Sequence, residues 1–125
     1  MAVLVIKVKV NNNDQITAYD VDGTLITVPK DGCNPDDIIA ITDPYTGTVK
    51  LRTVYSPHIE LMEKHKAQGY YIKVWSFGGY KWAKAVVERL GLTDIVDEVE
   101  SKPTKYIDDL HAAEWMGNPV FVKED

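Results

Sequence analysis

The chain has 125 residues, 45% hydrophobic and 26% charged, which fits one compact domain with a modest core spanning 1–125. A formal net charge of −5 and a pI near 5.1 argue against strong non-specific nucleic-acid binding, which depends on Lys and Arg displacing counterions. The one cysteine, Cys33, can form no internal disulfide and offers no zinc-type cluster, as expected for a reducing, cytoplasmic setting.

Residues 2–10, Ala-Val-Leu-Val-Ile-Lys-Val-Lys-Val, are rich in β-branched residues and read as a strand. Lys7 and Lys9 interrupt the run, which has no cleavage-site pattern and is too short to span a bilayer, so no membrane partner is expected. After the turn signal Asn11 to Asp14, Ile16 to Tyr19 reads as a second strand leading directly into Asp20, and the two strands could form a hairpin. Two β-rich runs, Asp37 to Thr42 and Thr48 to Val54, flank the turn Asp43-Pro44-Tyr45-Thr46-Gly47 and predict a further hairpin.

Ser56-Pro57 predicts a helix start, with Ser56 as cap and Pro57 at the first helical position, and Gly69 is the expected stop. Tyr70 to Trp75 reads as a buried strand that delivers Ser76. Lys81 to Leu90 reads as an amphipathic helix carrying Trp82, Val86 and Leu90 on one face and stopped by Gly91. Beyond it, Ile95 to Glu100 and Tyr106-Ile107 are expected strands, Leu110 to Met116 a helix, and Val120 to Val122 a last strand. Alternating strands and helices predict an α/β fold with a mainly parallel sheet.

Four polar points fall at the ends of expected strands: Asp20/Asp22, Ser76, Lys102 and Asp108/Asp109. In an open parallel sheet the carboxyl ends of the strands share one edge, where ligands bind, so these scattered residues are expected to converge. Crowded carboxylates repel one another unless a cation neutralises them, and an all-oxygen set suits Mg²⁺. One carboxylate can attack phosphorus and a neighbour can serve as general acid and base. A hydroxyl and an ammonium can hold the equatorial oxygens of a phosphoryl group.

At these residues the sequence resembles the haloacid dehalogenase (HAD) superfamily of phosphohydrolases, over roughly Ile16 to Val122. Asp20-Val21-Asp22-Gly23-Thr24-Leu25 is the specific motif, arising by chance at on the order of one in a million positions. Val74-Trp75-Ser76, Lys102-Pro103 and Tyr106-Ile107-Asp108-Asp109 are individually weaker but follow in the family's order. The resemblance implies a three-layer Rossmannoid fold with helices on both faces of the sheet. It also implies a Mg²⁺-dependent phosphatase forming an aspartyl-phosphate on Asp20, with Asp22 as general acid and base.

The same resemblance assigns Ser76, Thr24 and Phe77 to phosphate binding and Lys102 to offsetting charge on Asp20. Lys105 is a competitor for that last role. The metal ligands would be Asp20, the backbone carbonyl of Asp22 and Asp109, with Asp108 orienting the site, and the order of the last two aspartates stays open. Asp22 sets the chain apart from the true dehalogenases, which lack it. The short segment 26–56 resembles a flap or minimal cap of small phage and bacterial members rather than a large cap domain.

Plainer roles fit several residues. Asp108-Asp109 can cap the helix expected at Leu110. His58, His65 and His111 show no ligand spacing, and Cys33 has no partner base. Trp75, Tyr80, Trp82 and Trp115 read mostly as core, although Tyr80 could border the site. Gly78-Gly79 could open backbone N–H groups to phosphate at the next helix start.

The substrate class stays open between a general phosphate monoester and the narrower nucleotide or nucleic-acid end. A non-enzymatic metal- or phosphate-binding module is the third reading, with edge pairing of the N-terminal strand as a route to a homodimer.

Overall fold

The computed structural model describes residues 15–116. The strands expected at 2–10 and 120–122, the first hairpin and any dimer pairing through the N-terminal strand lie outside the described residues. The architecture is mixed α/β, with a parallel three-stranded sheet, a separate antiparallel three-stranded sheet and three α-helices.

The parallel sheet is built from β1 (Ile16–Asp20), β5 (Tyr71–Ser76) and β6 (Glu98–Ser101), in the order β1-β5-β6. Alternation along β5 sends Ile72 and Val74, both fully buried, to one face, and Lys73 and Trp75 to the other. The register pairs Asp20 with Trp75, Trp75 with Glu100, and Ser76 with Ser101. The three strands therefore end level with one another, and the sheet has one well-defined carboxyl edge.

The antiparallel sheet has the order β2-β4-β3, from β2 (Ile26–Thr27), β3 (Ile38–Thr42) and β4 (Val49–Val54). The hairpin anticipated around Asp43 to Gly47 is thus present, and a short third strand directly after the Asp20–Leu25 run pairs with the far end of β4. From its inward face β3 supplies buried Ile41 and half-buried Ile39 to the common core. Arg52 lies opposite Ile39 and Lys50 opposite Ile41, so both cations share that inward face.

Helix α1 (Ser56–Ala67) connects β4 to β5, and α2 (Tyr80–Arg89) connects β5 to β6. The cap of α1 is Tyr55 rather than Ser56: the last non-helical residue falls one place earlier, and Ser56 occupies the first helical turn with Pro57. Helix α2 buries Trp82, Ala83, Val86 and Val87. These meet Val21, Leu25, Met62, Ile72 and Val74 in one continuous core that joins the two sheets.

The C-terminal third departs from expectation. Strand β6 starts at Glu98, because the 92–96 stretch is turned by hydrogen bonds from the Ile95 and Val96 N–H groups to the Leu92 carbonyl. Tyr106-Ile107 forms no strand: Ile107 is 96% exposed and pairs with no strand among the described residues. The last helix, α3 (Ala112–Trp115), is shorter than expected, and Trp115 is half-exposed instead of core. No described helix is long and apolar enough to cross a membrane.

Candidate active site

The Asp20–Leu25 run leaves β1 as a tight loop whose apolar members anchor it and whose polar members face out. Val21 and Leu25 are fully buried. The Val21 carbonyl accepts from the N–H groups of Thr24, Leu25 and Ile26 at 3.2, 2.9 and 3.3 Å, and Gly23 N–H donates to the Ile26 carbonyl at 2.8 Å. That turn needs φ of +85° at Gly23, a conformation costly for any residue with a Cβ. His58 adds a brace from α1, its Nδ1 lying 2.8 Å from the Thr24 carbonyl, so Thr24 is held through its backbone.

Strand alternation decides which expected residues meet. Asp20, Trp75 and Glu100 share one face of the parallel sheet, and Lys102, two residues beyond Glu100, returns to that face. Lys102 Nζ lies 3.8 Å from Asp20 Oδ1, with both side chains about one-third exposed. The same ammonium stands 4.8 Å from the centre of the Phe77 ring and 5.9 Å from that of Trp75. Among the described residues it is Lys102, not Lys105, that pairs with Asp20.

Ser76 reaches the same sheet edge but continues the buried Ile72–Val74 side of β5, and it is 1% exposed. Its hydroxyl accepts from the Gly78 N–H at 2.9 Å, which leaves its own hydrogen free to donate. The Lys102 N–H bonds the Ser76 carbonyl at 2.9 Å and ties the two strand ends together. Phe77 is 68% exposed at this edge.

Asp108 and Asp109 are not delivered by a strand, and both are exposed. The Leu110 N–H bond, aided by Asp109, holds the Asp108 carboxyl below the ordinary carboxylate range, the signature of a local turn cap. Among the described residues, no three His, Cys, Asp or Glu side chains are grouped as a metal-binding set. Asp20 and Asp22 stand two residues apart at the motif loop, Asp20 paired with Lys102 and Asp22 bonded to Trp82. A Mg²⁺ ion is commonly held by one or two carboxylates, with substrate phosphate and water completing its octahedron, and the Asp20 carboxylate with the Asp22 backbone carbonyl fits that mode.

Asp22 faces a cleft of about 290 Å³ between the motif loop and the β3–β4 hairpin. Gly78 and Trp82 lie beside it, and Asp43, Tyr45, Lys50 and Arg52 form the hairpin wall. The Trp82 indole N–H donates to both Asp22 oxygens, at 3.1 and 3.3 Å. Lys50 Nζ sits 5.5 Å from the centre of the Trp82 ring and the Arg52 guanidinium 6.0 Å from it. Lys50 also pairs with Asp43 at 2.9 Å; that hydrogen bond and the Tyr45 N–H keep the Asp43 carboxyl below the ordinary range.

The hairpin tip occupies the start of α2. Tyr45 Oη accepts from the Lys81 N–H at 3.2 Å, and Ser101 Oγ from the Tyr80 N–H at 2.9 Å. Those N–H groups, expected to be open to phosphate after Gly78-Gly79, are therefore already satisfied by side chains. Trp82, taken from the sequence as core, is both core and site, being 5% exposed yet bonded to Asp22. The signal for the hairpin wall was present in the sequence: Lys50 and Arg52, two apart on a strand, must share a face.

Comparison of the chain with protein-family models, with curated proteins and with solved structures finds no match in any of the three.

Proposed function

We propose that the chain is a Mg²⁺-dependent phosphatase of the HAD type, hydrolysing a phosphate monoester through an aspartyl-phosphate on Asp20. The observation that carries this reading is the meeting of Asp20 and Lys102 at the carboxyl edge of a parallel sheet, with Asp22 on the adjoining loop beside an open cleft. On this reading the β1-β5-β6 sheet belongs to a Rossmannoid layer and the β2-β4-β3 sheet is the minimal cap.

Asp20 attacks phosphorus with one carboxylate oxygen, and the bond to the leaving-group oxygen breaks. Asp22, oriented by Trp82, gives that oxygen its proton. Asp22 then takes a proton from the water that attacks the aspartyl-phosphate, which releases inorganic phosphate and restores Asp20. Lys102 offsets negative charge on Asp20 and the transferring group, and the Ser76 hydroxyl donates to a phosphoryl oxygen. The Asp20 carboxylate and the Asp22 backbone carbonyl would hold the Mg²⁺, which when bound would neutralise charge shared by carboxylate and phosphoryl oxygens.

Hydrolysis of phenyl phosphate tests the reading. Turnover is expected with Mg²⁺, lost with EDTA and restored by added Mg²⁺, and abolished in Asp20→Asn. Undiminished turnover in Asp20→Asn would overturn it.

A further inference from the structure

We infer that the cleft beside Asp22 receives the leaving group, and that Arg52 selects substrates whose leaving group carries a second oxyanion on a compact skeleton. This deepens the phosphatase reading and rests on it. A general acid must lie within hydrogen-bond reach of the oxygen it protonates, so the leaving group occupies the space that Asp22 faces. That space is the cleft whose far wall is the inward face of β4.

The charges along that wall are not equivalent. Lys50 is paired with Asp43 at 2.9 Å, and Lys102, at the sheet edge, lies 3.8 Å from Asp20. Arg52 forms no ion pair among the described residues, and its one hydrogen bond there runs from Nη1 to the Leu51 carbonyl at 2.8 Å. A guanidinium carries five N–H donors in a planar fork that matches carboxylate or phosphate bidentately.

Arg52 is also held in place. The Trp82 ring lies beneath it with centroid 6.0 Å from Cζ, and the edge of the same indole donates to Asp22. The same indole thus lies between the general acid and a cation that is unpaired among the described residues. A substrate that uses both must place its second anion about an indole's width from the scissile oxygen, and a volume of about 290 Å³ favours a small skeleton. The shared chemistry is a phosphorylated carboxylic acid or a compact bisphosphate.

Four probes separate the sources: 4-carboxyphenyl phosphate against phenyl phosphate, and propane-1,3-diol bisphosphate against propyl phosphate. The full chain with Mg²⁺ is expected to favour the doubly anionic member of at least one pair by about 10-fold or more in kcat/KM, the scale of a charge-assisted hydrogen bond. The pair that shows the preference names the anion. In Arg52→Gln the ratio within that pair is expected to fall toward one, and in Arg52→Lys, which keeps the charge but loses the fork, to lie between. Because each ratio is measured on one protein, partial loss of folded material cancels.

Wild-type ratios near one in both pairs, or a ratio unchanged in Arg52→Gln, overturn the Arg52 inference while the phosphatase reading stands. No hydrolysis of any of the four overturns both.

Discussion

The indole N–H of Trp82 donates to both carboxylate oxygens of Asp22, joining the first turn of α2 to the loop that follows β1. Trp82 is otherwise a core residue, so the orientation of the expected general acid is set by core packing rather than by a flexible partner. Trp82→Phe keeps most of the buried ring and removes only the donor. We expect kcat on phenyl phosphate to fall roughly 10-fold with KM little changed, since misplacement of a reacting group acts on the chemical step. A rise in KM with kcat intact would show that Trp82 serves binding instead.

Lys102 separates activity from stability. Its ion pair with Asp20 is 3.8 Å long and about one-third exposed, so Lys102→Met should change unfolding free energy by no more than about 1 kcal/mol. Its loss should nevertheless lower kcat/KM on the order of 100-fold, because the charge it offsets builds up in the transition state. Denaturant unfolding and steady-state kinetics on the same preparation check both halves. A variant as active as wild type contradicts the assigned role.

Gly79, directly before α2, lies against the hairpin tip. Its φ is +98°, and a Cβ there would run into Tyr45 Oη. Gly79→Ala should therefore destabilise the fold by about 1–3 kcal/mol through backbone strain and displacement of the hairpin tip. Tyr45→Phe, which only uncaps the Lys81 N–H, should cost about 1 kcal/mol or less. Thermal unfolding ranks the two, and equal shifts would refute the steric argument.

Asp97 predicts the acid side of the stability profile. Burial raises its carboxyl, but the Ile72 N–H at 2.8 Å and then Lys66 at 2.9 Å lower it more, so it lies below its ordinary value of 3.8. A carboxylate depressed in the folded state contributes stability that is complete above the unfolded value and lost as pH falls through the folded one. Stability should thus decline as pH drops below 3.8, and Asp97→Asn should be less stable at pH 7 with a shallower acid slope. Unfolding midpoints between pH 7 and 3 measure this, and parallel curves would exclude Asp97 as a contributor.

Local pattern carried a large part of this protein. The alternation of Ile16 to Tyr19, the turn residues around Pro44, and the apolar stripe through Trp82 and Val86 each specify an element through contacts a few residues apart. The run Asp20 to Leu25 likewise announces its own loop, because Val21 and Leu25 must be buried and Gly23 must turn. Strand ends at Asp20 and Ser76 could be anticipated for the same reason; the end expected at Glu100 falls one residue later, at Ser101, and the approach of Lys102 to Asp20 was implied by the family resemblance.

What the tertiary structure alone decided depends on contacts distant in sequence. Tyr106-Ile107 has strand-like residues, but a strand exists only where a neighbour offers its hydrogen bonds, and none does so among the described residues. The open N–H groups at the start of α2 were filled by Tyr45 and Ser101, and Trp82 reached Asp22 across a sequence separation of sixty. The cation wall of Lys50 and Arg52 became part of the site only when the hairpin folded onto α2. Periodicity and turn chemistry are short-range and legible in a single chain; which face meets which partner is set by packing the whole core at once.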